Sequence, residues 1–434
     1  MKKKLVSLLL ASAMVASLAA CGSSGGNTSG GDNKGGDSKS GSGEAIRIIN
    51  GKIEIDKQLK AFAKAYEEET GQAVTIESMG GGVDIQGQIK GYYQAGNMPD
   101  LFVIGGDGDF ANWKDQVADL SDCAFAKDTD MAYTDDSGKV VGFPYAVEGH
   151  GITYNKEMLD KAGIDPATLI NYEGFKAAFE KLDGMKEELG IDAVCSVAAE
   201  SGQMYWSSGN HVFGYYTSGG QARDDKSIFD QISKGEFDDA RLAQFGKFFE
   251  LLCKYSDQKI LISGTYDDQM AQWMNKKSVF ITQGNWIDVS FKDYNGEFDS
   301  GIAPLAFTEE DMTGILADSP SWWCAYKDGK NLDAVKKFLD YLATSEEGQK
   351  CLVEECGMVS PYKSCKLSPS TPLAKSVSQY IADDNTYAWD WSNLKEGYAQ
   401  RCIGGILESY AKGDLDNAGF VKMMKSQTKA YMNQ

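Results

Sequence analysis

The chain has 434 residues, 42% of them hydrophobic and 11% aromatic, enough for two to three packed domains. Lys and Arg number 43 against 63 Asp and Glu, a formal net charge of −20 that opposes binding to nucleic acid or anionic lipid. Only two histidines occur, His150 and His211, so a multi-histidine metal site is excluded and no metal is expected.

The first twenty residues combine a basic start, an apolar stretch from Leu5 to Ala20 and small residues before Cys21, the pattern of a secretory signal. Leu18-Ala19-Ala20-Cys21 resembles a lipobox, so Cys21 is expected to be the lipidated N-terminus of a bacterial lipoprotein. Residues 22–43 hold Gly or Ser at 15 of 22 positions and no large apolar side chain, which makes residues 21–43 a lipidated cysteine and flexible tether rather than part of a core. As a flexible coil the tether would average about 25 Å end to end. No later segment is apolar for the ~18 residues a bilayer span requires, leaving the lipid as the anchor.

Eight further cysteines lack C-x2-C spacing, and free cysteine packs well in a core. Cys356 and Cys365, flanking a Pro-containing turn, form the one pair considered for a disulfide.

The body opens with the β-rich run Ala45 to Ile49. Asp56 can cap a helix whose Leu59, Phe62, Ala63 and Tyr66 fall at i, i+3, i+4 and i+7, ending at Gly71. Val74 to Glu77 reads as a second strand, Val83 to Ala95 as a second helix and Leu101 to Ile104 as a strand buried on both faces. This β-α-β-α-β order predicts a mostly parallel sheet with ligands at the carboxyl ends of its strands. The loops Asn50 to Glu54, Met79 to Gly82 and Gly105 to Asp109 are therefore placed at a site.

Met79-Gly80-Gly81-Gly82 lacks the lysine and hydroxyl of a P-loop and the spacing of a dinucleotide fingerprint, so no nucleotide or other cofactor is expected. Asp107 and Asp109 open like an EF-hand, but Asn112 and Ala118 stand where its Gly and Glu would be. As carboxylates at a strand end they suit sugar hydroxyls.

Gly142 to Gly163 reads as an extended crossing, two strands and a short helix, with Tyr145 and Glu148 on the crossing. Residues 164–297 are helix-rich, with core aromatics Phe175 and Phe179 on one face and Phe245, Phe248 and Phe249 on another. Within them, Met204 to His211 is polar and aromatic without helical periodicity, which suggests Trp206 as a cleft platform and His211 as a hydrogen-bonding residue. Val279 to Trp286 is an apolar strand stopping at Gly284-Asn285-Trp286, so that Trp286 arrives at a strand end. Gly301 to Leu305 and Trp322 to Tyr326 read as further strands. Trp322 and Trp323 alternate faces, so at most one of them lines a cleft. Trp389-Asp390-Trp391 precedes a closing helical run.

The run Phe-Pro-Tyr-Ala-Val-Glu at 143–148, followed by Tyr-Asn-Lys-Glu-Met-Leu at 154–159, resembles the interdomain crossover of the family 1 extracellular solute-binding proteins, the oligosaccharide receptors of ABC importers that include the maltose-binding type. Gly-Asn-Trp at 284–286 is similar to that family's strand-Gly-X-Trp motif, in which the Trp stacks on a sugar, and Thr-Ser-Glu-Glu-Gly at 344–348 to a helix entry. The loop Asn50 to Glu54 departs from the maltose-binding type. The resemblance implies a periplasmic-binding-protein-like α/β fold: two α/β lobes joined by a multi-segment hinge, with the ligand cleft between them. Residues 44–146 plus 298–348 would form lobe 1, and 147–297 plus 349–434 lobe 2. It implies capture of an oligosaccharide by lobe closure and delivery to ABC permease subunits, by a monomer lipid-anchored on the outer face of the cell membrane. Through the resemblance, an aromatic of the closing segment, Trp391, would also reach the site.

Two other readings stand beside it. Glu54, Asp107, Asp109 and Glu148 could include the two carboxylates of a glycosidase, although no motif fixes a pair and the two-lobed order argues against an enzyme. A receptor for a metal or a peptide is opposed by the scarce histidines and the Trp content.

Overall fold

Strands β1 (Ile46–Asn50), β2 (Val74–Ser78) and β3 (Leu101–Ile104) alternate with the helices Asp56–Thr70 and Ile85–Gln94, as their apolar spacing dictates. The computed structural model describes residues 44–80, 82–294 and 298–434; the signal, Cys21 and the tether expected over residues 1–43 lie outside them. Helix Asp56–Thr70 buries Leu59, Phe62, Ala63 and Tyr66 and stops at Gly71, whose φ of 79° is the left-handed geometry that favours glycine at a helix end. Asp56 begins this helix without capping it, and its carboxylate accepts a bond from Lys60 instead.

The first sheet is ordered β2-β1-β3-β12-β5-β4, with β4 at Tyr133–Thr134, β5 at Val140–Pro144 and β12 at Trp322–Ala325. Its first three strands are parallel, which places the β1 and β3 loops at one edge. Parallel pairing stops at β3, because β12 returns antiparallel from far along the chain and β5 and β4 follow as antiparallel neighbours.

Two short sheets make up the rest. One is ordered β10-β7-β9-β8, from Ser300–Ala303, Ile152–Asn155, Phe280–Ile281 and Cys195–Ser196. The other is β13-β11-β6, from Thr386–Tyr387, Ile315–Asp318 and Glu148–His150.

All described residues belong to one compact unit, and within it the buried apolar side chains separate into two cores. The first joins the opening strands and helices to Trp323, Leu339, Leu352 and Tyr362; the second runs from Ile152 to Ala317 and resumes at Leu373. Three stretches cross between them. Val147 bridges Val359, and β6 pairs with β11 in antiparallel register, Glu148 opposite Asp318, so the crossings lie side by side.

The return to the first lobe therefore differs from the expected 298–348. β10 pairs with β7 in the second lobe, and the chain re-enters the first lobe only after Asp318. It stays there past residue 348, since Cys351, Cys356, Met358 and Tyr362 pack in the first core. An apolar strand can be read from its residues, but which sheet it joins depends on partners far away in sequence. Cys356 lies 4.0 Å from Cys351, sulfur to sulfur, rather than beside Cys365, and both remain thiols.

Candidate ligand-binding cleft

Between the two cores lies a cavity of about 280 Å³. Lobe 1 lines it with Gly51 after β1, with Val83 to Gln86, and with Gly105, Gly108 and Asp109 after β3, so of the expected loops those after β1 and β3 border it. Lobe 2 supplies Tyr205, Gly209, Asn210 and the segment from Trp391 to Arg401.

Trp391 lines the cavity from lobe 2 and belongs to an aromatic cluster. Trp206, Trp286, Trp389 and Trp391 surround His211 with ring centroids 4.8 to 5.8 Å from it. His150 lies 5.1 Å from His211 and stacks on Trp286 at 5.9 Å with the rings 8° from parallel. Thus both histidines of the chain, 61 positions apart, meet in one place. The local backbone explains how. Ser207–Val212 is a π-helical turn that carries His211, and Gly284 lets the chain pass so close to the Gly149 carbonyl that any Cβ there would collide with it. Asn285 then accepts the Gly149 N–H at 2.8 Å, and the Trp286 indole donates to Gln283 at 2.9 Å.

Several polar atoms of this cluster are buried without a hydrogen-bond partner among the described residues. They are both ring nitrogens of His150, Nδ1 of His211, the indole nitrogens of Trp206, Trp389 and Trp391, Nδ2 of Asn285, the Ser208 hydroxyl and the Tyr266 hydroxyl. Unmet buried polar groups are rare and costly, and here they concentrate beside flat rings.

Adjoining the aromatics through Tyr266, whose ring lies 5.6 Å from that of Trp206, is a charged cluster. Lys52, which follows β1, makes a buried ion pair with Glu148 on β6. Burial opposes the Lys52 ammonium, but Glu148, Tyr145 and Glu54 together outweigh it and hold its pKa above the ordinary value. Burial pushes the Glu54 carboxyl up, with Lys52 offsetting only part of the effect. The Tyr266 hydroxyl sits beside Glu54 without the alignment of a hydrogen bond, and burial followed by Glu54 raises its pKa. Burial drives His150 down to about 3, opposed only by the Thr282 backbone. Burial, then His150 and Lys52, keeps His211 well below the usual imidazole range. Both rings are neutral at physiological pH. Asp109 is raised to about 6 by burial, while Oδ2 accepts the Gly105 N–H at 2.9 Å and the Gln86 amide at 3.1 Å.

Residues 61–378, more than half of the chain, match the family described as bacterial extracellular solute-binding protein. The chain belongs to that family. It is 28% identical over 357 residues to a maltooligosaccharide ABC transporter solute-binding lipoprotein of Streptococcus pneumoniae serotype 4, covering 77% of this chain and 75% of that one. Among solved structures, it is similar to a sugar transporter of Bacillus licheniformis in complex with stachyose, at a TM-score of 0.70 and 18% identity over 89% of this chain and 100% of that one. It is also similar to a chitin oligosaccharide binding protein, at a TM-score of 0.73 and 17% identity over 91% of this chain and 100% of that one. The two-lobed solute-binding fold is thereby shared.

Of the residues singled out in the sequence, Trp206, His211, Trp286 and Trp391 come together in the aromatic cluster, and Glu54 and Glu148 in the charged one. Asp109 lines the cavity, whereas Asp107 is held by the Tyr133 hydroxyl at 2.6 Å. Trp323 is fully buried in the first core, against the expectation that it could face the cleft, and stacks on Tyr145 at 4.6 Å. Tyr145 is likewise wholly buried and bonded to Ser321 at 2.6 Å, so it supports the site from beneath rather than facing it. Trp322 points to the other side of its strand, packs on Tyr133 and donates to the Met131 carbonyl at 2.6 Å; it lies outside the aromatic cluster.

Beside these, the structure gathers His150, Tyr266 and Asn285, which were not singled out in the sequence, together with Lys52 of the loop Asn50 to Glu54 and Trp389 of the closing segment. His150 was discoverable, as one of two histidines and sited on the crossing itself. Tyr266 carries no local signal, because a tyrosine opening a helix is an ordinary residue until its neighbours are known.

Proposed function

We propose that this protein is the substrate-binding lipoprotein of an ABC importer, which takes an oligosaccharide between its lobes and presents it to membrane permease subunits. The observation that carries the reading is the aromatic wall with its unpartnered nitrogens. A pyranose has apolar C–H faces and a polar rim, and flat indoles with N–H groups at their edges complement both. The named relative is a maltooligosaccharide lipoprotein, and the two structural neighbours are described with stachyose and as chitin oligosaccharide binding.

On this reading Trp206, His211, Trp286, Trp389 and Trp391 form the platform, Asp109, Glu54 and Glu148 the polar rim, and Cys21 the lipid-bearing residue of a monomer held at the outer face of the cell membrane. A sugar that touches both lobes only when they are closed shifts the protein toward closure, and the permease reads that state. No catalytic step is assigned. The carboxylates at the cleft serve as hydrogen-bond acceptors, and Glu148 is committed to Lys52. Thermal-shift and calorimetric titration with neutral oligosaccharides, followed by chromatography of the sugar, tests this. Binding with recovery of intact sugar is expected. No shift across such a panel, alongside a shift with amino acids or metals, overturns the sugar; accumulating product overturns the receptor.

A further inference from the structure

We propose that Cys351 and Cys356 are the two halves of a disulfide that closes as the chain folds outside the cell, and that this bond fixes the lobe 1 end of one hinge crossing. The inference is independent of which ligand the cleft takes.

An irregular backbone creates the pair. In an α-helix, side chains four residues apart lie over one another, while those five apart point away from each other. Cys351–Glu355 is instead a π-helical turn, in which the Cys356 N–H donates to the Cys351 carbonyl at 2.8 Å, five residues back. That bond sets position 356 over position 351, and the two sulfurs lie 4.0 Å apart. A disulfide needs about 2.05 Å, an approach that side-chain rotation supplies. Among the described residues no second pair of cysteines shares such a contact.

Both side chains are 1% exposed and pack in the first core with Leu352 and Met358. The hydrogen bond with Cys351, and then burial, hold the Cys356 thiol well above its ordinary pKa, so the folded chain offers little thiolate for exchange. Oxidation therefore belongs to folding, before lobe 1 seals. The thiolate of one cysteine attacks a small external disulfide and displaces one thiol; the other cysteine attacks the mixed disulfide and displaces the second. Two protein S–H bonds are lost and one S–S bond is gained, while the external disulfide takes up both electrons and both protons as two thiols.

The consequence follows from position. After Cys356 the chain turns at Gly357, whose φ is 65°, and the Met358 N–H returns to the Leu352 carbonyl at 3.0 Å. The Val359 carbonyl then accepts the Val147 N–H at 2.8 Å, and the Tyr362 hydroxyl donates to the Pro144 carbonyl. A cross-link between 351 and 356 stiffens the point from which this crossing leaves lobe 1.

The test uses the full chain, exported with its own signal, denatured in urea, alkylated without reductant and digested with trypsin. Cleavage after Lys350 and Lys363 leaves Cys351 to Lys363 as one peptide that holds these two cysteines and no other. It should be unalkylated and lighter by two hydrogens than the same peptide after reduction. Alkylation at both sites, or linkage of either to Cys365 or another cysteine, overturns the proposal. Protein folded under reductant and then given oxidised glutathione should keep both thiols, whereas the same reagent present during refolding from urea should close the bond. Equal oxidation in the two cases overturns closure during folding. Amide exchange over residues 352–359 should be slower by about tenfold in the oxidised protein than in the reduced one. Equal exchange overturns the role at the hinge.

Discussion

The tryptophans of the aromatic wall are not equivalent, and the difference lies in what else each one holds. Trp286 is 4% exposed, belongs to the second core, stacks on His150 and donates to Gln283, so it is held as a core residue as well as a member of the aromatic cluster. Trp391 is half-buried, lines the cavity and has an unpartnered indole nitrogen. Trp391→Ala should therefore weaken sugar binding by about 2 kcal/mol, roughly thirtyfold, with a small change in melting temperature. Trp286→Ala should lower binding and also lose about 3 kcal/mol of stability. Calorimetry paired with thermal melts separates the two, and a Trp391→Ala protein with undiminished affinity would remove that residue from the site. Asp109 offers a test in pH. Its folded pKa, about 6, lies above that of an unfolded aspartate near 4, so between these values the native state binds more protons and stability falls as pH rises through the window. Asp109→Asn retains an oxygen for the Gly105 and Gln86 bonds. It should be more stable than wild type at pH 7 by about 2 to 3 kcal/mol, an advantage that largely disappears near pH 4, as read from urea unfolding at both pH values.

At the scale of elements, the two lobes touch through a small set of contacts away from the hinge. Glu396 accepts from Lys90 Nζ at 3.0 Å and from the Asn112 amide at 2.8 Å, both on lobe 1, while Arg401 of its own lobe approaches within 3.5 Å. Beside it the Gly106–Gly108 loop lies against residues 392–394. Gly106 has a φ of 131°, and a Cβ there would sit 2.6 Å from the Ser392 carbonyl; the Asp107 N–H meets the Asn393 side chain at 3.3 Å. These contacts require closed lobes, so they add to closure what the sugar does not supply. Lys90→Ala should weaken binding by roughly threefold, the usual worth of a partly exposed ion pair. Gly106→Ala should weaken it tenfold or more, because it meets both backbone strain and a collision. Small-angle scattering of the sugar-saturated proteins checks the cause, since Gly106→Ala should be more extended than wild type. How legible these elements were follows from their length and repeat. The fifteen-residue helix Asp56–Thr70 and strand β3 announce themselves by apolar spacing, while β8, β9 and β13 have two residues each and no period to read. The misassigned strand β10 shows the other limit: its residues say strand, and only its pairing with β7 says which lobe. Trp323 fails likewise, because alternation fixes that Trp322 and Trp323 face apart but not which face is core.

At the scale of the molecule, closure is a statement about two cores joined by three crossings and clamped on one ligand. The cores have separate apolar interiors, and the hinge that joins them is itself bonded: β6 runs beside β11, Val147 bridges Val359, and the Tyr362 hydroxyl donates to the Pro144 carbonyl on the inner side. Such a hinge bends without unpairing, so motion should be concentrated in the cleft walls. A sugar bound only to the aromatic wall would touch lobe 2 alone. It would raise stability by mass action, about 2.7 kcal/mol at a hundredfold excess over Kd, but would leave lobe 1 as it was. A sugar that also meets Glu54 and Asp109 and draws Glu396 onto Lys90 must slow local opening in both lobes. Hydrogen exchange with and without saturating sugar distinguishes these cases. Protection should rise in Ser207–Val212 and in residues 389–401 of lobe 2, and equally in Ile85–Gln94 and residues 103–109 of lobe 1. Protection confined to the lobe 2 segments would mean that the sugar binds without closing the protein, and the coupling between capture and delivery would then need a different origin.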